Sequence, residues 1–431
     1  VFCFLSNKTA NHQFYFYHPK THFINSFKNL NIFADRILKM KMTKYRAIFL
    51  CIVAIFISCN NPSRNTLPVI TPEIVVEEIK APIPETEIYT LDSLLLKVMK
   101  NYRFNGNALA AIEGYPVFEY SGGYADLYTK TPLNFNTRFQ IASVSKGFTA
   151  MSVLMLYERG KINLNDSVIK YIPEFPFDQI TIKQLLQHTS GLQNYMYFVD
   201  NFWEKDKPIT NEDVLILINN HNPQLNFRPG SRHLYNNTGY AILALLVERV
   251  SGKRFYEFVK EEIFDPLGMN NSFAWNKDVS DTLQNIATGF TRKGYRYRKF
   301  AHNPLDEVLG DKSIYTTAED MLKWDQALYS NKLISDSLLN LSFTKTKLSR
   351  GREYNYGFGW RLKEIDGKKV VYHNGLWNGF TATLTRYPDD KITIILLNNT
   401  NAPVASIVKQ MYGVLKKQLL VDEKLVESTR K

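Results

Sequence analysis

Ile141-Ala142-Ser143-Val144-Ser145-Lys146-Gly147-Phe148-Thr149-Ala150 opens a stretch that runs on through Met151 to Gly160. A turn-rich approach, Asn134 to Gln140, leads into it. From Ser143 to Gly160 the apolar residues Phe148, Ala150, Met151, Val153, Leu154 and Met155 occupy most sides of a helix, so the spacing predicts a buried one. One helical turn puts residues i and i+3 on the same face, so Ser143 Oγ and the Lys146 amine can meet. The helix N-terminus adds positive potential, which favours an alkoxide and disfavours an ammonium. Burial lowers the lysine pKa further, towards a neutral amine able to take the serine proton. Ser-x-x-Lys occurs five times, at Ser143/Lys146, Ser167/Lys170, Ser342/Lys345, Ser406/Lys409 and Ser428/Lys431. Only the first combines a turn with the start of a long buried helix.

Working outward, Leu91–Tyr102 has helical spacing, and 108–113 and 116–121 read as strands around Gly114-Tyr115. The middle, 161–330, reads as helices with long connections. Thr181 with Gln184, and Thr316 with Glu319, look like capping boxes. Strands return at 356–364 and 368–373, flanking the hairpin signal Asp366-Gly367. Residues 380–387 alternate, 392–397 form a continuous apolar run, and 404–420 close as an amphipathic helix. Strands at both ends with helices between predict an α+β fold. Its antiparallel sheet combines both ends of the domain, is flanked by helices and is interrupted by a mostly helical insertion.

The chain has 431 residues, 45% hydrophobic and 22% charged, with a formal charge of +12. That composition excludes a disordered, collagenous or disulfide-scaffold protein. Residues 1–59 hold eight Lys/Arg against one acid, Asp35, and the remaining 45 basic and 40 acidic residues nearly balance. No basic stripe interleaved with aromatics follows, so nucleic-acid binding is set aside. The three cysteines, Cys3, Cys51 and Cys59, all precede residue 60. There is no HExxH pair, Cys/His cluster or Walker loop, so no metal or cofactor is expected.

From Met42 a short basic region leads into the apolar run 47–58, which is too short to span a bilayer comfortably. It resembles a bacterial lipoprotein signal peptide, which implies Cys59 as the lipidated first mature residue. Residues 1–39 fit no targeting pattern and are expected to be non-native upstream translation. Residues 40–58 are then the signal peptide. Five of the chain's 17 prolines fall in 60–88, so 59–88 reads as an extended tether. The catalytic domain is expected over 89–420, with a charged tail at 421–431. The location implied is the cell envelope, lipid-anchored and facing the periplasm. Oligomeric state is not readable.

The stretch 141–150 resembles the nucleophile motif of the β-lactamase-related serine hydrolases, which include class C β-lactamases, D-alanyl-D-alanine carboxypeptidases and carboxylesterases. Supporting pieces follow in family order: Leu185 to Leu192 around His188-Thr189-Ser190-Gly191, then Pro229-Gly230 leading to Tyr235-Asn236-Asn237-Thr238-Gly239-Tyr240. Pro266 to Met269, Tyr356-Gly357-Phe358-Gly359-Trp360, and His373-Asn374-Gly375 with Gly379-Phe380 complete the set. The resemblance covers about residues 90–420 and implies a β-lactamase/transpeptidase-like fold.

Tyr-x-Asn occurs at Tyr235 and again at Tyr329-Ser330-Asn331. Tyr329 ends a helical run, whereas Tyr235 follows a Pro-Gly turn and precedes a helix, so Tyr235 is preferred. A phenol becomes a useful base only beside a cation. The resemblance implies that Tyr235 and Lys146 share proton transfer and that Asn237 donates to a substrate carbonyl. It also implies an oxyanion hole from the backbone N–H groups of Ser143 and Leu376. His373, Asn374 and Gly375 stand where relatives carry Lys-Thr-Gly, which implies substrate contacts there. Neutral His with Asn is a weaker carboxylate site than Lys with Thr. The reading is a serine hydrolase with a Ser143 acyl-enzyme on an ester or amide. A D-alanyl-D-alanine carboxypeptidase, a β-lactamase and a non-catalytic binding protein remain as alternatives. His188 reads as a helix-end residue and Asp311-Lys312 as solvated loop. The aromatic run Tyr195, Tyr197, Phe198, Phe202, Trp203 reads equally as cleft wall or packing.

Overall fold

A computed structural model describes residues 85–429, apart from 205–206, 277–283, 295 and 301–303. The chain divides into two units, Val1–Glu77 and Glu78–Lys431, and every described residue belongs to the second. The expectations for 1–39, for the signal peptide, for Cys59 and for most of the tether lie outside the described residues.

The helices are α1 (Glu85–Asn101), α2 (Lys146–Glu158), α3 (Ile182–Leu186), α4 (Tyr195–Phe202), α5 (Asn211–His221), α6 (Asn237–Ser251), α7 (Phe255–Val259), α8 (Ala318–Ala327), α9 (Asp336–Ser342) and α10 (Val404–Thr429). The main sheet uses β1 (Gly106–Ile112), β2 (Tyr115–Gly122), β3 (Arg361–Ile365), β4 (Lys368–Trp377), β5 (Phe380–Tyr387) and β6 (Ile392–Asn398). Its order is β3-β4-β5-β6-β1-β2, antiparallel throughout. Strand β1 from one end pairs with β6 from the other, Ala110 opposite Ile394. This is the expected joining of both ends.

Strand alternation sends successive side chains to opposite faces. Ala108, Ala110 and Ile112 pack with Leu91, Leu95 and Met99 of α1 and Ile407, Met411 and Leu415 of α10. Leu109 and Ala111 face the larger core built on α2 and α6. Because both faces of β6 are covered, it carries consecutive apolar residues from Ile394 to Leu397 rather than alternating, and the buried Thr393 donates to Asp325 at 2.7 Å. Helix α2 is buried from Lys146 to Leu156, with Phe148 stacked on Trp324 at 4.2 Å. The Asp366-Gly367 turn carries φ of +52° and +76°, the pair of left-handed residues that a two-residue hairpin needs.

Three boundaries differ from the sequence reading. Helix α1 begins at Glu85, so the last residues assigned to the tether are helical. Helix α10 continues to Thr429 and takes in most of the segment read as a tail. The cap of α8 is Thr317, which accepts from the Asp320 N–H. Thr316 instead ends the short strand Ile314–Thr316, with its hydroxyl bonded to Ser272.

Candidate active site

Four segments meet around Ser143. The first is the 3-10 turn Ala142–Ser145, which runs straight into α2. Ala142, just before the serine, has a φ of +46°. That left-handed conformation is strained for a residue with a Cβ, and such strain concentrates at reactive positions. Ser143 is half-buried. Lys146, one turn on, is wholly buried and donates to Ser143 Oγ at 3.1 Å.

The second segment is Tyr235–Asn237, at the start of α6. Asn236 caps the helix, its side-chain oxygen accepting from the Gly239 N–H at 3.1 Å. That leaves Asn237 for the cleft, where its Oδ1 accepts from Lys146 Nζ at 2.9 Å. With the oxygen occupied, the Asn237 amide nitrogen is the group left to donate, and it meets only Met196 Sδ at 3.9 Å. The Tyr235 ring centroid lies 5.0 Å from Lys146 Nζ.

The third segment is Gly310–Ile314. The Asp311 carbonyl accepts from Lys146 Nζ at 2.7 Å, and the Gly310 carbonyl from Thr149 Oγ1 at 2.7 Å. Gly310 has a φ of +96°, and a Cβ there would sit 2.4 Å from the Tyr240 carbonyl oxygen, so this approach requires glycine. Asp311 and Lys312 are buried, at 1% and 3% exposed, which corrects the solvated-loop reading. Lys312 Nζ donates to Tyr195 Oη at 2.8 Å and to the Val308 carbonyl at 3.2 Å, and pairs with Asp311 at 3.4 Å. The loop that holds Lys146 is thus locked from behind. Tyr195 and Phe198 of the aromatic run are buried, while Tyr197 and Phe202 are exposed.

The fourth segment is β4. A Cβ at Gly375 would lie 2.1 Å from the Ile141 carbonyl oxygen, so only glycine lets the strand pass this close to the turn bearing Ser143. This brings the Leu376 segment beside the serine, with the Leu376 side chain exposed. His373 shares the inner face with Gly375 but is only 1% exposed. Its Nδ1 bonds the Asn374 carbonyl at 2.9 Å, and its Nε2 bonds Tyr356 Oη at 3.2 Å. The residue expected to touch substrate therefore has no free polar atom. Asn374 is corrected as well. Alternation puts its side chain on the other face of the sheet, where its Oδ1 accepts from Thr383 at 2.7 Å.

Burial dominates the electrostatics. It pulls Lys146 down to about 7, Arg361 pulls the same way, and Asp311 opposes both. Tyr235 is pushed upward by burial, only partly opposed by the Ser143 hydroxyl and by Arg361. Its hydroxyl is buried with no completed hydrogen bond. Lys146, not the phenol, is therefore the group able to accept a proton near neutrality. A buried tyrosine is a base only where cations outweigh desolvation, and here they do not.

Sequence reasoning missed Arg361. It opens β3, with its guanidinium carbon 5.0 Å from the Tyr235 ring centroid. Among the described residues no hydrogen bond or ion pair holds that guanidinium. Its one sequence signal is its place, directly after the Gly-rich Tyr356–Trp360 turn.

The other candidates fall elsewhere. Tyr329 is 42% exposed and lies under the Arg386 guanidinium, 4.2 Å from its ring centroid. Lys170 is exposed and paired with Asp166, Ser342 bonds its own helix, and Ser406 lies on the surface of α10.

Residues 91–415 match the protein family described as Beta-lactamase. The chain belongs to that family. This beta-lactamase-family chain is 33% identical over 320 residues to a penicillin-binding protein of Bacillus subtilis (strain 168), covering 72% of this chain and 71% of that one. It is 26% identical to a D-aminopeptidase of Brucella anthropi, over 75% of this chain and 62% of that protein. The crystal structure of a penicillin-binding protein from Bacillus halodurans superposes with a TM-score of 0.64 at 28% identity, over 74% of this chain and 99% of that one. The protein is thus a serine hydrolase of the beta-lactamase family, with a β-lactamase/transpeptidase-like fold.

Proposed function

We propose that the protein hydrolyses an amide or ester through an acyl-enzyme on Ser143, and that its substrate carries a carboxylate received by Arg361. The carrying observation is the buried Lys146 amine, near neutral and 3.1 Å from Ser143 Oγ. Lys146 takes the serine proton as Oγ attacks the carbonyl carbon. The Ser143 and Leu376 N–H groups stabilise the oxyanion, and the Asn237 amide orients the acyl side. The phenol of Tyr235, kept protonated by burial, passes a proton to the leaving nitrogen or oxygen and regains one from Lys146. Water then repeats the sequence on the ester.

Arg361 supports a carboxylate-bearing substrate, because a planar cation with no ion pair among the described residues is suited to bidentate carboxylate recognition. A peptide ending in a D-amino acid has this form, in keeping with a relative named for penicillin binding. A neutral ester is the second reading, favoured by a β4 strand on which His373 is buried and Asn374 turned away. The envelope is the setting this reading assigns, through lipid on Cys59. Detergent-phase partitioning that survives Cys59→Ser would remove that part.

The test is mass spectrometry of the intact protein after exposure to neutral esters, D-amino-acid amides, β-lactams and a fluorophosphonate. The expected adduct maps to Ser143 and is absent in Ser143→Ala. An adduct on Ser342 or Ser406 would overturn the assignment. Adducts from neutral esters alone would favour the second reading.

A further inference from the structure

Two imidazoles and a phenol stand buried behind the cleft and take no part in the chemistry above. They are His188, Tyr356 and His373, each 1% exposed. His188 sits with a φ of +56° at the end of α3, its ring 4.3 Å from that of Tyr235.

The backbone at each end dictates where the protons lie. The Asn236 N–H can only donate, so His188 Nδ1, 3.2 Å away, is an acceptor. A neutral His188 then carries its proton on Nε2, which donates to Tyr356 Oη at 3.0 Å. The Asn374 carbonyl can only accept, so His373 Nδ1, at 2.9 Å, bears a proton. A neutral His373 leaves Nε2 to accept from the Tyr356 hydroxyl at 3.2 Å. The two ends impose their tautomers independently, yet they meet at a residue that can accept from one ring and donate to the other. Tyr240, whose own hydroxyl donates to the Leu186 carbonyl at 2.8 Å, is the other acceptor beside that phenol.

The charged surroundings agree. Burial, and after it Lys146, push both imidazoles well below the ordinary range, with His233, His373 and Arg361 adding to this at His188 and Arg361 at His373, where the bond to the Asn374 carbonyl opposes them. A proton added at His188 Nδ1 would face the Asn236 N–H. One added at His373 Nε2 would face the Tyr356 hydroxyl.

The ends of this chain are the two walls of the cleft. Asn236 lies between Tyr235 and Asn237, and Asn374 directly precedes Gly375-Leu376. We infer that His188, Tyr356 and His373 form a neutral, one-directional brace between those walls, and that Tyr356 is a positioning residue for acylation of Ser143. It sets the spacing between the Tyr235–Asn237 segment and the Leu376 amide. The inference rests on the reaction proposed above.

The experiment uses the full chain with ¹⁵N-labelled histidine. Long-range ¹⁵N–¹H correlation spectra should show His188 as the Nε2–H tautomer and His373 as the Nδ1–H tautomer. Neither ring should titrate near the ordinary pKa of about 6.5. Tyr356→Phe removes the central hydroxyl and leaves two buried ring nitrogens unpaired. It should lower kcat on a neutral ester roughly 10²-fold, the cost of an ångström-scale misplacement, with KM little changed, and the Nε2 resonances of both rings should move while their backbone-set tautomers stay in place. His373 found as Nε2–H in the wild-type protein, or either ring titrating normally there, would overturn the brace. So would a folded Tyr356→Phe with unchanged kcat and unchanged Nε2 resonances. Absence of any acyl adduct on wild-type Ser143 overturns the reaction the brace serves. The tautomers need no substrate and so separate that failure from a failure of the brace.

Discussion

Replacing Arg361 by Gln removes a positive charge from the cleft while keeping most of the side-chain volume. Lys146 Nζ and the Arg361 guanidinium carbon each lie 5.0 Å from the Tyr235 ring centroid, so the two cations are within about 10 Å of each other. At that separation two unit charges repel by roughly 1.7 kcal/mol at an effective dielectric of about 20, and by roughly 0.4 kcal/mol in water. Those limits correspond to between about 0.3 and 1.2 pKa units. Arg361 lowers the Lys146 pKa, which stands at about 7, so its removal raises that value. The reaction needs the neutral amine, so kcat/KM should climb as pH rises through the Lys146 pKa. The variant's acid limb should therefore move upward from about 7, by roughly 0.3 to 1.2 units. A neutral ester is the right substrate, because it isolates the effect on Lys146 from any loss of carboxylate binding. Lys146→Met should abolish the limb altogether, which tests its assignment. The reasoning fails if the Arg361→Gln limb stays in place or moves downward.

The same variant should raise KM for a carboxylate-bearing substrate while sparing the neutral ester, measured as the ratio of the two KM changes. Lys146→Ala and Tyr235→Phe should each lower kcat by roughly 10²–10⁴, and the double variant should cost little more than the worse single one. Tyr329→Phe, checked in the same assay, should be nearly silent. Gly375→Ala puts a Cβ 2.1 Å from the Ile141 carbonyl, so the turn bearing Ser143 must shift. Its kcat should fall roughly 10²-fold in protein that still shows a cooperative melt. Lys312→Met leaves the Asp311 carboxylate buried without its cation and should destabilise the fold by about 3–5 kcal/mol in urea titration. Adding Asp311→Asn should recover part of that loss.

Much of the fold was legible because it is written in local patterns. Strand β5 alternates and β6 is apolar at all but Thr393 and Asn398, and the limits of each are legible to within a residue. The burial of α2 could be read from apolar residues on most of its sides, and the choice of Ser143 among five Ser-x-x-Lys pairs followed from that burial. The α8 cap was misplaced by one residue because Thr316 and Thr317 are chemically alike. Only the pairing of the preceding strand tells them apart.

Sequence by itself determined the α+β class, the joining of both ends in one sheet, the pairing of Ser143 with Lys146, and the preference for Tyr235 over Tyr329. The first three follow from periodicity, turn chemistry and a helical turn's spacing, and the preference for Tyr235 from its Pro-Gly turn together with the resemblance to the family's motif. The tertiary structure alone decided the rest. Lys146 is held by the Asp311 carbonyl, 165 residues away in the chain. The Asp311-Lys312 pair is buried with both side chains bonded to Tyr195 of α4, and Asn374 is turned from the cleft by a strand's alternation. Arg361 is distinguished by a guanidinium that lies over the Tyr235 ring and that, among the described residues, no hydrogen bond or ion pair holds. The proton order of His188, Tyr356 and His373 depends on two backbone groups that distant segments bring within 3.2 Å. Burial and hydrogen-bond partners are properties of three-dimensional neighbourhoods, and they set the pKa values and tautomers on which the chemistry turns.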